Sequence, residues 1–559
     1  MSSYYSKLEE FINNGKNFYK IIFFLVVFLC AVKIPSIITT DIQPWDEGMY
    51  ATRVLSLHIS GDFIDQSSHS IGRFYSGSHP PLLIWIGYLS TLLFGMNSTS
   101  LKIIPFIFSL LCVILIMLIG KKLFNPKVAL FAAMIFCSNI IFNVFSKRFQ
   151  FDYPYTFFIL GSFYLMFLYN DSLNYKYLLL SGVSFGCCLM IKILVGFYIP
   201  MILVLCYYFA RDKINFKLKD ILLLTSIGIM MALPWHLYML IKYGNEFTDF
   251  FLKFHIYDRA FQGVEMNEKR SGALYHINYL MNIIPYSVIV YFGLINDFNK
   301  FTKLNWEKIF LWVWFLAGFI IIAAFKTKLE VYILLILTPG CLLISSFIDE
   351  MNKQNLFIKT LILLATIFNI FWFGTVSVRT EIKSFLAENH FLIIIPFIII
   401  VITILFFLCR SLANKIELKK TYYIFILLFF LGINANYLLD IPHWENNFQI
   451  SQVKDYIEKS GRKQIAYVAT NYRHNPQFSF YFNGMDLGWE NKNYGFVFLD
   501  TKEGLEVIKD KLNGLDKDKF EIIVEREGIN RAIYPDTDLF VPENFKLSLK
   551  APGYLLYEN

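Results

Sequence analysis

The chain has 559 residues, 56% of them hydrophobic and 17% charged, with a mean hydropathy of +0.49 and a formal net charge of +8. That balance excludes a soluble globular protein and predicts a polytopic α-helical membrane protein. The positive charge needs no nucleic-acid partner, because much of the Lys and Arg lies in short loops between apolar runs, as the positive-inside bias requires.

Taken in order, the apolar runs predict thirteen spans: 20–39, 101–120, 127–145, 153–170, 176–191, 193–210, 219–240, 273–295, 308–325, 330–348, 356–376, 391–409 and 421–439. The first is preceded by Lys16 and Lys20 and followed by no small-residue cleavage site, so a retained span is expected rather than a signal peptide. The run Pro81 to Phe94 is short for a span and reads as an interfacial helix. With 81–94 not crossing, residues 1–20 share one side with the basic loops at Lys121/Lys122/Lys127, Lys176, Arg211–Lys219, Lys300–Lys308, Lys353/Lys359 and Arg410–Lys420. That side is cytoplasmic by the Lys/Arg bias, and the C-terminus then lies outside. The eight cysteines (30, 112, 137, 187, 188, 206, 341, 409) all fall in apolar segments, so no disulfide framework is expected.

The outer face receives the loop 40–100, Lys147 to Asp152, Lys192, the loop 242–272, Phe325 to Lys328, the loop 377–390, and residues 441–559. The organisation expected is a membrane domain over 1–440 and a small α/β domain over 441–559. In the latter, Val453–Lys459 and Gly504–Leu515 read as helices, and Gln464–Ala469, Phe496–Leu499, Phe520–Val524 and Phe545–Leu549 as strands. The stretch Asp41 to Tyr50 follows the first span directly, so Asp46 and Glu47 sit just outside the membrane. Carboxylates there point to function, or to acids in the first turn of a helix.

Several motifs now stand in order on the outer side. They are Asp46-Glu-Gly-Met-Tyr-Ala51, Gly61-Asp62, Ser78-His-Pro-Pro-Leu82 with Trp85, Arg148 with Asp152, Lys192 with Gly196, and Pro234-Trp-His236. Then come Tyr243 to Phe247, His255, Arg259, and Lys326-Thr-Lys-Leu329 with Tyr332 and Pro339. Together they resemble the membrane glycosyltransferases of the GT-C superfamily, in the branch of the lipid A aminoarabinose transferase and the protein O-mannosyltransferases. The likeness covers about residues 20–350.

The resemblance implies a polyprenyl-phosphate sugar as donor, used on the periplasmic face of a bacterial inner membrane. The acceptor it implies is lipid A, another envelope glycan or a protein hydroxyl. Phosphate at a membrane interface calls for fixed cations. Lys192, Arg259, Lys326 and Lys328, with Tyr332 and His79, are the donor-phosphate candidates; snorkelling at span ends is the plainer reading of the lysines. Asp46 is the acid/base candidate and Asp152 the second carboxylate, which would otherwise pair with Arg148 or Lys147. Glu47 joins the catalytic candidates, although as Asp46's neighbour it reads equally as a packing or capping partner. His79 and His255 are a weak candidate pair for a divalent metal, the only cofactor considered. The sequence departs from the aminoarabinose branch at Met49, where an Arg is usual, and at Ser78-His79, where Glu-Lys is usual. A transporter or flippase of lipid-linked sugars is the rival from another class; the absence of a half-repeat weighs against it.

Overall fold

The computed structural model describes residues 2–67, 70, 72–192, 196–263, 287–327, 329–374, 391–439, 449–461, 464–469, 476–482, 495–500, 510, 522–526, 546–552 and 554–558. Helices begin where asparagines stand ready as caps. Asn97 accepts from the Ser100 amide at 2.8 Å, Asn125 from Val128 at 2.9 Å, Asn174 from Lys176 at 3.0 Å and Asn305 from Lys308 at 3.2 Å. Each satisfies an amide that the first helical turn leaves open.

Among the described residues six helices are long and apolar enough to cross a bilayer: Gly15–Thr39, Ser98–Leu123, Leu218–Tyr243, Trp306–Ala324, Glu330–Asp349 and Leu418–Leu438. Other expected spans coincide with helices Asp152–Ser172, Tyr175–Leu189, Tyr198–Ala210, Leu356–Gly374 and Phe391–Lys415. Two expectations need correction. The span 127–145 is two helices, Pro126–Cys137 and Ile140–Phe145, because Asn139 caps a fresh start by accepting from the Ile141 amide. The segment expected at 273–295 lies partly outside the described residues, and its described part, Ile289–Phe298, runs further than expected. The run 81–94 forms the helix Leu82–Phe94.

Small residues let these helices approach closely. A Cβ on Gly182 would meet Ile227 at 2.9 Å, and one on Gly228 would meet Phe185 at 2.1 Å, which locks Tyr175–Leu189 against Leu218–Tyr243. Ser162 and Ser181 hydrogen-bond at 2.7 Å between neighbouring helices. A buried lysine closes the carbonyl end of the first long helix. Lys102 donates to the Thr40 hydroxyl and the Asp41 carbonyl, both at 2.7 Å, a cation where the helix dipole favours one.

The C-terminal region holds a five-stranded sheet in the order β2-β1-β3-β5-β4. The strands are β1 (Gln464–Ala469), β2 (Gly495–Asp500), β3 (Ile522–Arg526), β4 (Lys546–Ala551) and β5 (Tyr554–Glu558). β1 runs parallel to both β2 and β3, with Ile465 facing Phe496 and Ile522; β5 pairs antiparallel with β3 and β4. Helix Ile450–Ser460 packs Ile450, Val453 and Ile457 against Ile465, Tyr554 and Leu556. The expected strand at 520–524 is shifted to Ile522–Arg526, β5 was not anticipated, and the helix expected at 504–515 falls outside the described residues apart from Asp510.

Candidate active site

The Asp41 to Tyr50 stretch turns into the helix Asp46–Ser60, with both acids in its first turn. One residue apart, the two carboxylates part company. Asp46 is half-exposed, whereas Glu47 is fully buried. Glu47 accepts from the Gln43 amide and from the Phe149 amide, each at 2.9 Å, and so ties the acid turn to the loop that carries Asp152. Asp152 opens the helix Asp152–Ser172 and is buried. One of its oxygens has no protein partner, and Tyr155 hydrogen-bonds to the carboxylate. Neither alternative partner takes it up: Lys147 donates to the Ser36 hydroxyl at 2.7 Å, and Arg148 lies over the Phe145 ring at 5.2 Å.

Lys192 follows the end of the helix Tyr175–Leu189, with its ammonium 4.1 Å from the centre of the Phe151 ring and 5.5 Å from that of Tyr332. Burial lowers its pKa to about 8, against the pull of Asp152. The charges of Asp46, Asp152 and Arg259 all act on it, so these side chains form one cluster. Beside the cluster opens a cavity of about 420 Å³. Its polar wall is His79, Lys192, His255, Arg259 and Tyr332; its apolar wall includes Tyr198, Met201, Phe251, Ile321, Ile322 and Leu335. The Arg259 guanidinium hydrogen-bonds to the Tyr332 hydroxyl. The His79 and His255 rings stand 4.4 Å apart, and His255 also contacts the Tyr75 carbonyl at 3.1 Å. Burial, then their neighbouring charges, hold both imidazoles well below the ordinary pKa, so they are neutral near pH 7.

A largely apolar cavity that also presents two cations suits an amphiphile whose anionic head meets its hydrocarbon tail. Comparisons with known proteins point the same way. Residues 78–238 match the family described as dolichyl-phosphate-mannose-protein mannosyltransferase. The chain is 25% identical over 356 residues to the undecaprenyl phosphate-alpha-4-amino-4-deoxy-L-arabinose arabinosyl transferase of Wigglesworthia glossinidia brevipalpis, which covers 61% of this chain and 61% of that protein. A protein of Aquifex aeolicus is 23% identical over 334 residues, 58% of this chain and 64% of its own length. The chain thus matches less than two thirds of the length of these two relatives. In fold it superposes on ArnT from Cupriavidus metallidurans bound to undecaprenyl phosphate with a TM-score of 0.61 at 13% identity, over 96% of this chain and 97% of that one. It also superposes on the archaeal oligosaccharyltransferase AglB from Archaeoglobus fulgidus, solved with an inhibitory peptide and a dolichol-phosphate, with a TM-score of 0.52 at 11% identity, over 92% of this chain and 70% of that one.

The chain has the GT-C glycosyltransferase fold. It resembles the aminoarabinose-transferase branch, and it is a multi-pass membrane protein. Within that fold the structure gathers Asp46, Asp152, Lys192, Arg259, Tyr332, His79 and His255. It does not gather every candidate. Lys326 is exposed and does not line the cavity; its amide pairs with the Ala260 carbonyl at 3.0 Å. Lys328 lies outside the described residues. Glu47 points into packing rather than toward the cavity. For the metal, His79 and His255 supply two imidazoles, and among the described residues no group of three His, Cys, Asp or Glu side chains is placed to hold an ion. That falls short of the three or four protein ligands of a zinc-type site, and no step below runs through a metal.

One residue that sequence reasoning missed is Arg53. It is buried two turns beyond Asp46 and donates to the Gln66 side chain at 2.8 Å, the Ser76 carbonyl at 3.1 Å and the His79 carbonyl at 2.9 Å. It thereby fixes the loop that delivers His79. A lone arginine in a helix of otherwise uncharged residues after Glu47 was the signal that could have found it. The Gly61-Asp62 motif has a structural role. Gly61 ends the helix in the left-handed conformation, and Asp62 accepts from the Ile64 and Asp65 amides at 3.0 and 2.8 Å.

Proposed function

We propose that this protein is an inverting glycosyltransferase that moves a sugar from a polyprenyl-phosphate donor to an acceptor at the outer face of the bacterial inner membrane. The observation that carries this reading is the cavity lined by Lys192, Arg259, Tyr332 and His79 together with many apolar side chains, with Asp46 and Asp152 within electrostatic reach. The polyprenyl chain lies along the apolar wall. Lys192 and Arg259 hold the phosphate by charge-assisted hydrogen bonds, and Tyr332 and His79 complete the polar contacts. The acceptor oxygen attacks the anomeric carbon as the bond from that carbon to the phosphate oxygen breaks. The electron pair leaves with the polyprenyl phosphate, whose charge the two cations stabilise. A hydroxyl acceptor gives its proton to Asp46; a phosphate acceptor carries its nucleophilic oxygen already, and Asp46 then orients it. Asp152 keeps Lys192 charged and in place.

Thirteen spans, an inward N-terminus, and a periplasmic α/β domain over 441–559 complete the proposal. Lipid A or another envelope glycolipid is the preferred acceptor, on the likeness to the arabinosyl transferases. The match of residues 78–238 to protein mannosyltransferases favours a protein hydroxyl as the second reading. The test is mass spectrometry of lipid A and of envelope glycoproteins from cells with and without the gene, followed by transfer from purified undecaprenyl-phosphate sugars. A sugar missing from lipid A supports the first acceptor and one missing from a protein the second. An unchanged envelope and no transfer in vitro would defeat both.

A further inference from the structure

The turn that presents Asp46 is held in an unfavourable backbone conformation. Trp45 has φ 68° and ψ −134°, outside the small left-handed region that non-glycine residues visit. A bulky residue stays there only when its surroundings over-determine it. Part of the restraint is local: the Gly48 amide donates to the Gln43 carbonyl at 3.1 Å, and Glu47 accepts from Gln43. The rest comes from more than 400 residues away and is delivered by the C-terminal region.

Three hydrogen bonds and one close approach make that contact. The Ile42 amide donates to the Tyr481 hydroxyl at 3.1 Å. The Ser451 amide donates to the Asp41 carboxylate at 2.8 Å. The Thr52 hydroxyl reaches the Pro476 carbonyl at 3.0 Å. Between them Gly48 lies so close to the short helix Gln477–Tyr481 that a Cβ would stand 2.6 Å from the Gln477 amide nitrogen. The short helix is itself anchored in the C-terminal core. Phe478 and Phe482 are buried there with their rings stacked, and Gln477 donates to the Tyr554 hydroxyl of β5 at 2.8 Å. Phe480, on the same helix, is buried in the core of the membrane domain instead. The contacts bracket Asp46 on both sides, at positions 41–42 and 48–52.

We infer that the C-terminal domain is a clamp on the acid turn: Tyr481 and Gln477 on its side, and Thr52 on the acid helix it grips, are positioning residues that hold Asp46 in the geometry used for transfer. This inference rests on the glycosyltransferase reading for its consequence in catalysis, but not for the contact itself. The contact is on the acid side of the site. None of Tyr481, Gln477 and Thr52 lines the cavity proposed for the donor, so the clamp acts on turnover and leaves donor binding alone.

The experiment uses the full chain in nanodiscs, with two variants and a control. Tyr481→Phe keeps the ring and removes the hydroxyl that accepts from Ile42. Gly48→Ala puts a methyl against the Gln477 backbone; alanine is the better helix former, so any loosening comes from the clash and not from helix propensity. Tyr456→Phe, the control, removes a hydroxyl that bonds Glu558 at 3.0 Å inside the C-terminal domain and takes no part in the contacts with the acid turn described above. Hydrogen exchange over residues 41–49 is expected to speed up about 5- to 10-fold in both variants, the equivalent of about one hydrogen bond, and to stay unchanged in the control. kcat is expected to fall by a similar factor, with KM for the donor and Kd for undecaprenyl phosphate within about 2-fold of wild type. Unchanged exchange in both variants overturns the clamp. Faster exchange with unchanged kcat, or a loss seen in donor KM and Kd rather than kcat, overturns its role in positioning the acid. A wild-type chain that transfers no sugar sinks the glycosyltransferase reading, and the exchange result then still upholds or overturns the clamp by itself.

Discussion

Asp46 and Glu47 show how far a single step along a helix changes the task of a carboxylate. Glu47 spends both oxygens on backbone amides, so Glu47→Gln is expected to lower stability. Asp46 faces the charged cluster. If it is the base for a hydroxyl acceptor, Asp46→Asn lowers kcat on the order of 10²–10⁴-fold with donor affinity little changed. With a phosphate acceptor the loss is smaller, and the rate is flat with pH above about 5. Steady-state kinetics with a purified donor decides between them, and a fully active Asp46→Asn enzyme would remove Asp46 from the centre. Lys192 supplies a second prediction. Its pKa of about 8 means the ammonium is present below that pH and lost above it. Affinity for undecaprenyl phosphate is therefore expected to weaken as pH rises through 8. Lys192→Ala is expected to cost about 1.5–3 kcal/mol of that affinity and to abolish the pH dependence. Lys192→Arg should also flatten the profile without restoring full turnover, because the guanidinium fork does not reproduce the position of the ammonium. These residues were legible because acids and cations are rare beside membrane spans and keep a fixed order. Arg53 was not, because nothing in a sequence says that three acceptors 13 to 26 residues downstream will fold back onto one guanidinium.

At the scale of elements, two charged side chains anchor the residues that lead from Gly61 to His79 at the cavity. Arg53 is one. Arg53→Lys keeps the charge but cannot serve the three acceptors with one fork, so it is expected to weaken phosphate binding; Kd for undecaprenyl phosphate reports it. Asp65 is the other. It accepts from Lys242 at 2.6 Å and from Ser67 at 2.7 Å, and also from Tyr243. Burial pushes its pKa up, but these hydrogen bonds outweigh it and hold the group at about 2, below the ordinary 3.8. A depressed carboxylate stabilises the fold above its unfolded pKa and loses that contribution as pH falls through its folded value. Asp65→Asn is therefore expected to cost about 1–3 kcal/mol near pH 7. The gap from wild type in a detergent unfolding experiment should narrow between pH 4 and 2. A gap that does not narrow would assign the effect to packing. Elements were legible where apolar length or an asparagine cap announced them. Short pieces such as Phe74–Gly77 and Gln477–Tyr481 were not, since four or five residues carry no period and owe their shape to what they pack against. The π-helical stretch Asp249–Gln262 was missed for a related reason: a wider turn is set by tertiary contacts and not by residue type.

For the molecule as a whole, the loops sort into two groups that the fold keeps apart. Lys127 and Lys419 both reach Asp349, at 2.8 and 2.9 Å, and Lys308 reaches Glu350 at 3.2 Å. Four loops far apart in sequence thus meet, and their lysines all belong to the set expected in the cytoplasm. The other group joins the turn at 41–49, the loop at 147–152, Lys192, Arg259 and the helix Gln477–Tyr481. The first group holds loops expected in the cytoplasm and the second holds loops expected outside, so the two are assigned to the two ends of the helix bundle. The Lys/Arg bias then orients the bundle with the lysine-rich end inside. This leads to a topological prediction with internal checks. Reporters fused after Gly95 and after Ser460 are expected to read periplasmic, and fusions after Lys213 and after Lys353 cytoplasmic. Gly95 is the decisive position, because it follows the helix Leu82–Phe94, which the Lys/Arg bias of every later loop keeps on the outer side. A cytoplasmic reading there would make that helix a span, invert every later loop, and place Asp46 and Lys192 on opposite sides of the membrane. The structure ties the acid turn to the Phe149 amide and sets Lys192 over the Phe151 ring of the same loop, which that arrangement would break, so the fusion tests the candidate site and the topology together.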